Sequence, residues 1–143
     1  MIVNTAYIYM GSGGGGTPAN PNLWQDGVSN YPVVFTNSSI SADGLLLRKN
    51  GGAATFSELR LTDFNSLKIS KNKNSTVFSE ISIKIEFFNS ADQLLGTETV
   101  KLSNSVTNKT LNIPSAAKIQ NVKIRMTNTN KMSDITLVSA LLS

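Results

Sequence analysis

Apolar and polar residues alternate at period two through much of the chain, most regularly in "FSEISIKIEFF". There Ile81, Ile83, Ile85 and Phe87 fall on one side, and Glu80, Ser82, Lys84 and Glu86 on the other. This is the pattern of a strand with one buried face. "NVKIRM" repeats it, with Val122, Ile124 and Met126 against Lys123 and Arg125, and "LLGTETVKL" resumes it at Val100 and Leu102. In "FSELRL", Leu59 and Leu61 alternate with Glu58 and Arg60 and predict a further strand. "YPVVFTN", "SLKIS", "KTLNIP" and "DITLVSALLS" read as strands as well.

Turn chemistry separates these segments. Asp43-Gly44 predicts a two-residue hairpin turn between Ile40 and Leu45. Asn50-Gly51-Gly52 and the polar stretches "KNKNST", "NSADQ" and "SNSVTN" supply other turns. No segment carries a helical period. Roughly ten strands with a turn every ~8–12 residues predict an all-β chain, an antiparallel β-sandwich or jelly roll.

The N-terminus departs from this rhythm. "MIVNTAYIYM" reads as a strand that is apolar on both faces, with Tyr7 and Tyr9 on one and Ile8 and Met10 on the other. Such a strand needs cover on both sides. "GSGGGGTPANPN" follows, and its composition is that of a linker. The expected organisation is an arm strand over residues 1–10, a flexible Gly/Pro linker over 11–23 and a sandwich over 24–143. Gly11, Gly13 and Gly16 spell G-x-G-x-x-G, but a dinucleotide fingerprint needs a helix after it. Pro18 and Pro21 forbid one here, and Thr17-Pro18 stands where a phosphate-binding loop would need Lys-Ser/Thr. Gly11, Gly13, Gly14, Gly15 and Gly16 therefore read as a hinge. Ile2, Val3, Tyr7, Ile8, Tyr9 and Met10 read as an assembly arm that docks on a neighbouring subunit by strand addition.

Composition narrows the chemistry. The 143 residues include no cysteine and no histidine, which removes disulfides, thiol chemistry and imidazole catalysis. The nine carboxylates are scattered, without D-x-D spacing or a recognisable catalytic pair. No catalytic, cofactor-binding or metal-binding residue is expected, and the chain reads as non-enzymatic. The net charge is +4, with every Lys and Arg from Arg48 onward. Lys68, Lys71 and Lys73 cluster, but Tyr7, Tyr9, Trp24 and Tyr31 all lie in the basic-free N-terminal third. Cations without interleaved rings read as solvated lysines rather than a nucleic-acid surface. No apolar run approaches the ~20 residues of a membrane span, and no signal-peptide pattern opens the chain. One binding constellation remains. Trp24 and Tyr31 flank "QDGVSN", where exposed rings beside Asp26 would suit a sugar. Alternatively, Trp24 pins the incoming linker onto the sandwich.

The succession "FSEISIKIEFFNSADQLLGTETVKL", "LNIPSAAKIQNVKIRM" and "DITLVSALL" resembles the galactose-binding-like jelly roll of sugar-binding modules and phage appendage proteins. The lack of Cys and His and the Asn/Ser/Thr/Lys/Ile bias are similar to virion proteins of tailed phages. That resemblance implies a non-enzymatic virion component, such as a capsid decoration, fibre or tail/baseplate protein. It would form a homo-oligomer with other virion subunits, and would be made in the host cytoplasm without a signal peptide. The alternative it implies is a carbohydrate-binding module that recognises host cell-surface polysaccharide through Trp24, Asp26 and Tyr31.

Overall fold

Alternating side chains need a second apolar layer to cover them, and the chain supplies it by folding into two facing sheets. The computed structural model describes residues 3–6, 20–62, 64–114, 118–127 and 133–143, the first four by backbone alone. Thirteen strands run through these residues. They are β1 (Val3–Ala6), β2 (Trp24–Gln25), β3 (Val28–Ser29), β4 (Val33–Thr36), β5 (Ser38–Ser41), β6 (Gly44–Leu47) and β7 (Ala53–Phe56). Then follow β8 (Ser66–Lys71), β9 (Ile81–Phe88), β10 (Leu94–Leu102), β11 (Asn108–Asn112), β12 (Asn121–Met126) and β13 (Ile135–Leu142). One sheet has six strands in the order β1-β4-β7-β12-β9-β10, the other five in the order β11-β8-β13-β6-β5. The fold is an all-β antiparallel sandwich of jelly-roll type, with a small β2-β3 hairpin beside it.

Register explains the core. β12 sets Ile124 opposite Ile85 and Val122 opposite Phe87, while β10 sets Val100 opposite Ile83. Val33 and Phe35 on β4 face Phe56 and Ala54 on β7 in the same layer. Leu45, Leu47, Leu67, Ile69, Ile135 and Leu137 of the second sheet are buried as completely as Ile81, Ile83, Ile85 and Phe87 of the first. Each such aliphatic or aromatic side chain contributes ~1.5–3 kcal/mol through burial.

Two local expectations change, and one expected turn takes on a larger role. Leu59 and Leu61 are buried and Glu58 and Arg60 exposed, as the alternation requires, yet residues 57–62 form no strand. Glu58 takes φ 59°, a left-handed conformation that interrupts extended backbone. In the β5-β6 hairpin Ile40 does pair with Leu45, but Ser41 pairs with Gly44, so the turn residues are Ala42 and Asp43. Gly44 opens the strand at φ 120°, and a Cβ there would collide with the Leu137 carbonyl. The turn at Asn50 and Gly51 (φ 67° and 99°) is not a hairpin within one sheet. It carries the chain from β6 in one sheet to β7 in the other.

Residues 20–23, expected to end a linker, are bonded to the sandwich. The Leu23 N–H donates to the Ala140 carbonyl at 3.1 Å, and the Leu142 N–H to that of Pro21 at 2.7 Å. Leu23 is fully buried. The hairpin that follows turns at Asp26 and Gly27, whose φ values of 53° and 81° suit the tight two-residue turn of β2-β3.

Candidate ligand-binding face

The rings expected to hold a sugar are core residues. Trp24 is 3% exposed, stacks on Phe56 with ring centroids 5.7 Å apart, and donates its Nε1–H to the Val138 carbonyl at 3.1 Å. Tyr31 is 6% exposed and donates its hydroxyl to the Asn20 carbonyl at 2.7 Å. Neither ring presents a face to a ligand, which corrects the expected Trp24–Tyr31 contact. Asp26 is exposed at the hairpin tip, without those rings as partners. The cause is the docking of residues 21–24 along β13, with the Tyr31 hydroxyl tied back to Asn20.

Of the expected arm, Val3 lies on β1, where its backbone sits opposite Thr36 of β4. Ile2, Tyr7, Ile8, Tyr9, Met10 and the hinge glycines Gly11, Gly13, Gly14, Gly15 and Gly16 lie outside the described residues. The lysine cluster also resolves differently from a solvated patch. Lys68 and Lys73 are exposed, but Lys71 is 5% exposed. Its ammonium donates to the Ser75 carbonyl at 2.6 Å and the Asn72 carbonyl at 3.1 Å, fastening the loop after β8.

The outer face of the six-stranded sheet gathers a different set. Antiparallel register places Thr36, Ala53, Arg125, Lys84 and Thr99 in one row across five strands. The next row is Val34, Thr55, Lys123, Glu86 and Thr97. Alternation turns both rows away from the core. On β4 and β7 the side chains are short, and on β12 and β9 they are long and charged. The step between them, with the turn at Gly51, forms an open depression of about 340 Å³. Thr36, Gly51, Ala53, Glu86, Lys123 and Arg125 line it.

Its electrostatics are unequal. Arg125 stands directly opposite Lys84, an unfavourable like-charge pair. Arg125 instead reaches diagonally and donates its Nε–H to Glu86 Oε1 at 2.6 Å. The two side chains are only 22% and 16% exposed, so the pair is fixed and partly shielded. The side chains of Lys123, directly opposite Glu86, and of Lys84 make no hydrogen bond or ion pair among the described residues. One carboxylate thus stands among three cations and pairs with Arg125 alone. The alternation places all four residues on an outward face, but nothing local to the sequence shows that β12 lies beside β9. Among the described residues no group of three or more carboxylates could hold a metal ion. None forms a helix long and apolar enough to cross a membrane.

Neither a protein-family model nor a curated protein sequence matches the chain. Solved structures do resemble it in fold. PfGH50B superposes with a TM-score of 0.61 at 9% identity, over 87% of this chain and 23% of that one. A mutant of the lectin binding domain of Lectinolysin, complexed with Lewis b, gives a TM-score of 0.51 at 13% identity, over 78% and 71% of the two chains. A fucose binding module of Streptococcus pneumoniae, SpX-3, gives 0.48 at 12% identity over 78% and 71%. At these identities the likeness is one of fold.

Proposed function

We propose that the protein is a non-catalytic carbohydrate-binding module whose ligand lies on the outer face of the six-stranded sheet. The observation that carries this is the depression built around Arg125 and Glu86. Arg125, Glu86, Lys123 and Thr36 line one open space. Sugar hydroxyls both donate and accept, and a fixed Arg–Glu pair offers donors and acceptors in one place. The volume, about 340 Å³, suits one or two sugar rings. Phe88 follows Glu86 on the same face and is partly exposed, about 7 Å further along the strand. Its ring can take the apolar face of the next sugar unit. The fold it shares with a lectin binding domain solved with Lewis b supports the same reading.

Glycan-array binding by the wild type and by Arg125→Ala tests it. Binding to a defined set of saccharides, weakened about tenfold or more by the substitution, is expected. A wild type that retains no saccharide would overturn the reading.

A second reading is a structural subunit of a phage or phage-like particle that associates through its N-terminal segment. The observation in its favour is that β1 is an edge strand whose outer side has no partner among the described residues. Another subunit can continue the sheet there. Light scattering on the full chain tests it, and a strict monomer at all concentrations counts against it.

A further inference from the structure

We infer that the saccharide held on this face is acidic, carrying a carboxylate or sulfate beside its hydroxyls. The inference rests on the carbohydrate-binding reading and specifies its ligand class. Three cations from two adjacent strands, Lys84, Lys123 and Arg125, share the face with one carboxylate, Glu86. Glu86 accepts from Arg125 at 2.6 Å, and within these two strands this leaves an excess of two positive charges.

The placement makes that excess costly without a ligand. Lys84 lies directly across from Arg125, and like charges at that separation destabilise a sheet. The neighbouring outward residues offer no acid to relieve them: Thr36, Ala53 and Thr55 on one side, Thr97 and Thr99 on the other. Of the other acids near these strands, Glu80 just before β9 stands 3.9 Å from Lys101, Asp92 accepts from the Asn121 amide at 3.1 Å, and Glu98, opposite Ile85, lies on the other face of β10 by alternation. An oxyanion on a sugar in the depression would meet the Lys123 ammonium and the guanidinium nitrogens that Glu86 does not engage. The hydroxyls of the same sugar have Thr36 and the Glu86 carboxylate as partners. Glu86 plays a positioning role here, because it turns Arg125 away from Lys84 and holds its fork over the depression.

Titrations of the full chain with four polymers test this: polygalacturonate, dextran sulfate, an uncharged β-glucan and duplex DNA. Each is repeated with the double variant Lys84→Gln/Lys123→Gln, which leaves the Arg125–Glu86 pair in place. Binding to one or both acidic polysaccharides is expected, weaker by about tenfold or more in the variant, with DNA bound far less well. Polygalacturonate and dextran sulfate separate a carboxylate ligand from a sulfate ligand. Equal binding of the uncharged glucan by wild type and variant, without binding of the acidic polymers, overturns the inference while leaving the carbohydrate reading intact. No binding to any polysaccharide overturns both. Indiscriminate binding of DNA and both polyanions, released together at about 150 mM salt, overturns the inference as mere polyanion attraction.

Discussion

Arg125 on β12 donates to Glu86 on β9 at 2.6 Å, a diagonal contact made in preference to facing Lys84, the residue directly opposite. The pair lies across two interior strands of the six-stranded sheet and is mostly shielded from solvent. It therefore has a structural role as well as its place in the proposed binding face.

Its structural share can be measured by a double-mutant cycle. Glu86→Ala and Arg125→Ala each destabilise by about 1–3 kcal/mol in urea unfolding, and their coupling energy is about 1 kcal/mol or more. Glu86→Ala leaves three unbalanced cations on adjacent strands. Its loss should shrink as salt screens them.

Trp24 separates core packing from ligand contact. Trp24→Ala removes a buried ring stacked on Phe56 and costs about 3–5 kcal/mol, read as a fall in the thermal midpoint. Trp24→Phe keeps most of the packing and loses the hydrogen bond to Val138, costing about 1–2 kcal/mol. Saccharide affinity of the folded Trp24→Phe protein should equal that of the wild type. A selective loss of affinity there would return the ring to the binding site.

Gly44→Ala tests the hairpin entry. The φ of 120° disfavours any side chain, and the new methyl would meet the Leu137 carbonyl on the neighbouring strand. A loss of about 2 kcal/mol or more in chemical denaturation is expected. Gly51→Ala, where no atom lies within 4 Å of the added carbon, should cost less because only the φ of 99° opposes it.

Lys71→Met keeps the buried stem and deletes the ammonium. The Asn72 and Ser75 carbonyls then lose their donor, and stability falls by about 1–3 kcal/mol. Amide exchange should accelerate in the loop after β8, including the Ser75 N–H bonded to the Asn72 carbonyl. Unchanged exchange there would show that the ammonium does not fasten the loop.

The residues differ in how much of their role could be read in advance. Ile81, Ile83, Ile85 and Phe87 announce a buried strand face because alternation is a local property of extended backbone. Leu59 and Leu61 show its limit: their burial produces the same alternation, although Glu58 leaves the extended conformation between Phe56 and Leu59. Asp26-Gly27 gives no hairpin pattern in the sequence because its strands are two residues long. Trp24 and Tyr31 read as exposed rings because the segment between them, "QDGVSN", is largely polar. They are covered by contacts with Val138 and with residues bonded along β13, more than a hundred positions away in the case of Trp24.

The sequence by itself determined that this is a β-protein of alternating strands, which residues of the most regular strands turn inward, and where most turns fall. These follow from backbone geometry within a few residues. The tertiary structure decided which strands are neighbours and in what register. That placed β12 between β7 and β9, brought Arg125 to Glu86 across 39 positions, and buried Trp24 against Phe56. Cross-strand contacts join residues remote in the chain, and only the packing of two whole sheets selects among the pairings that alternation permits.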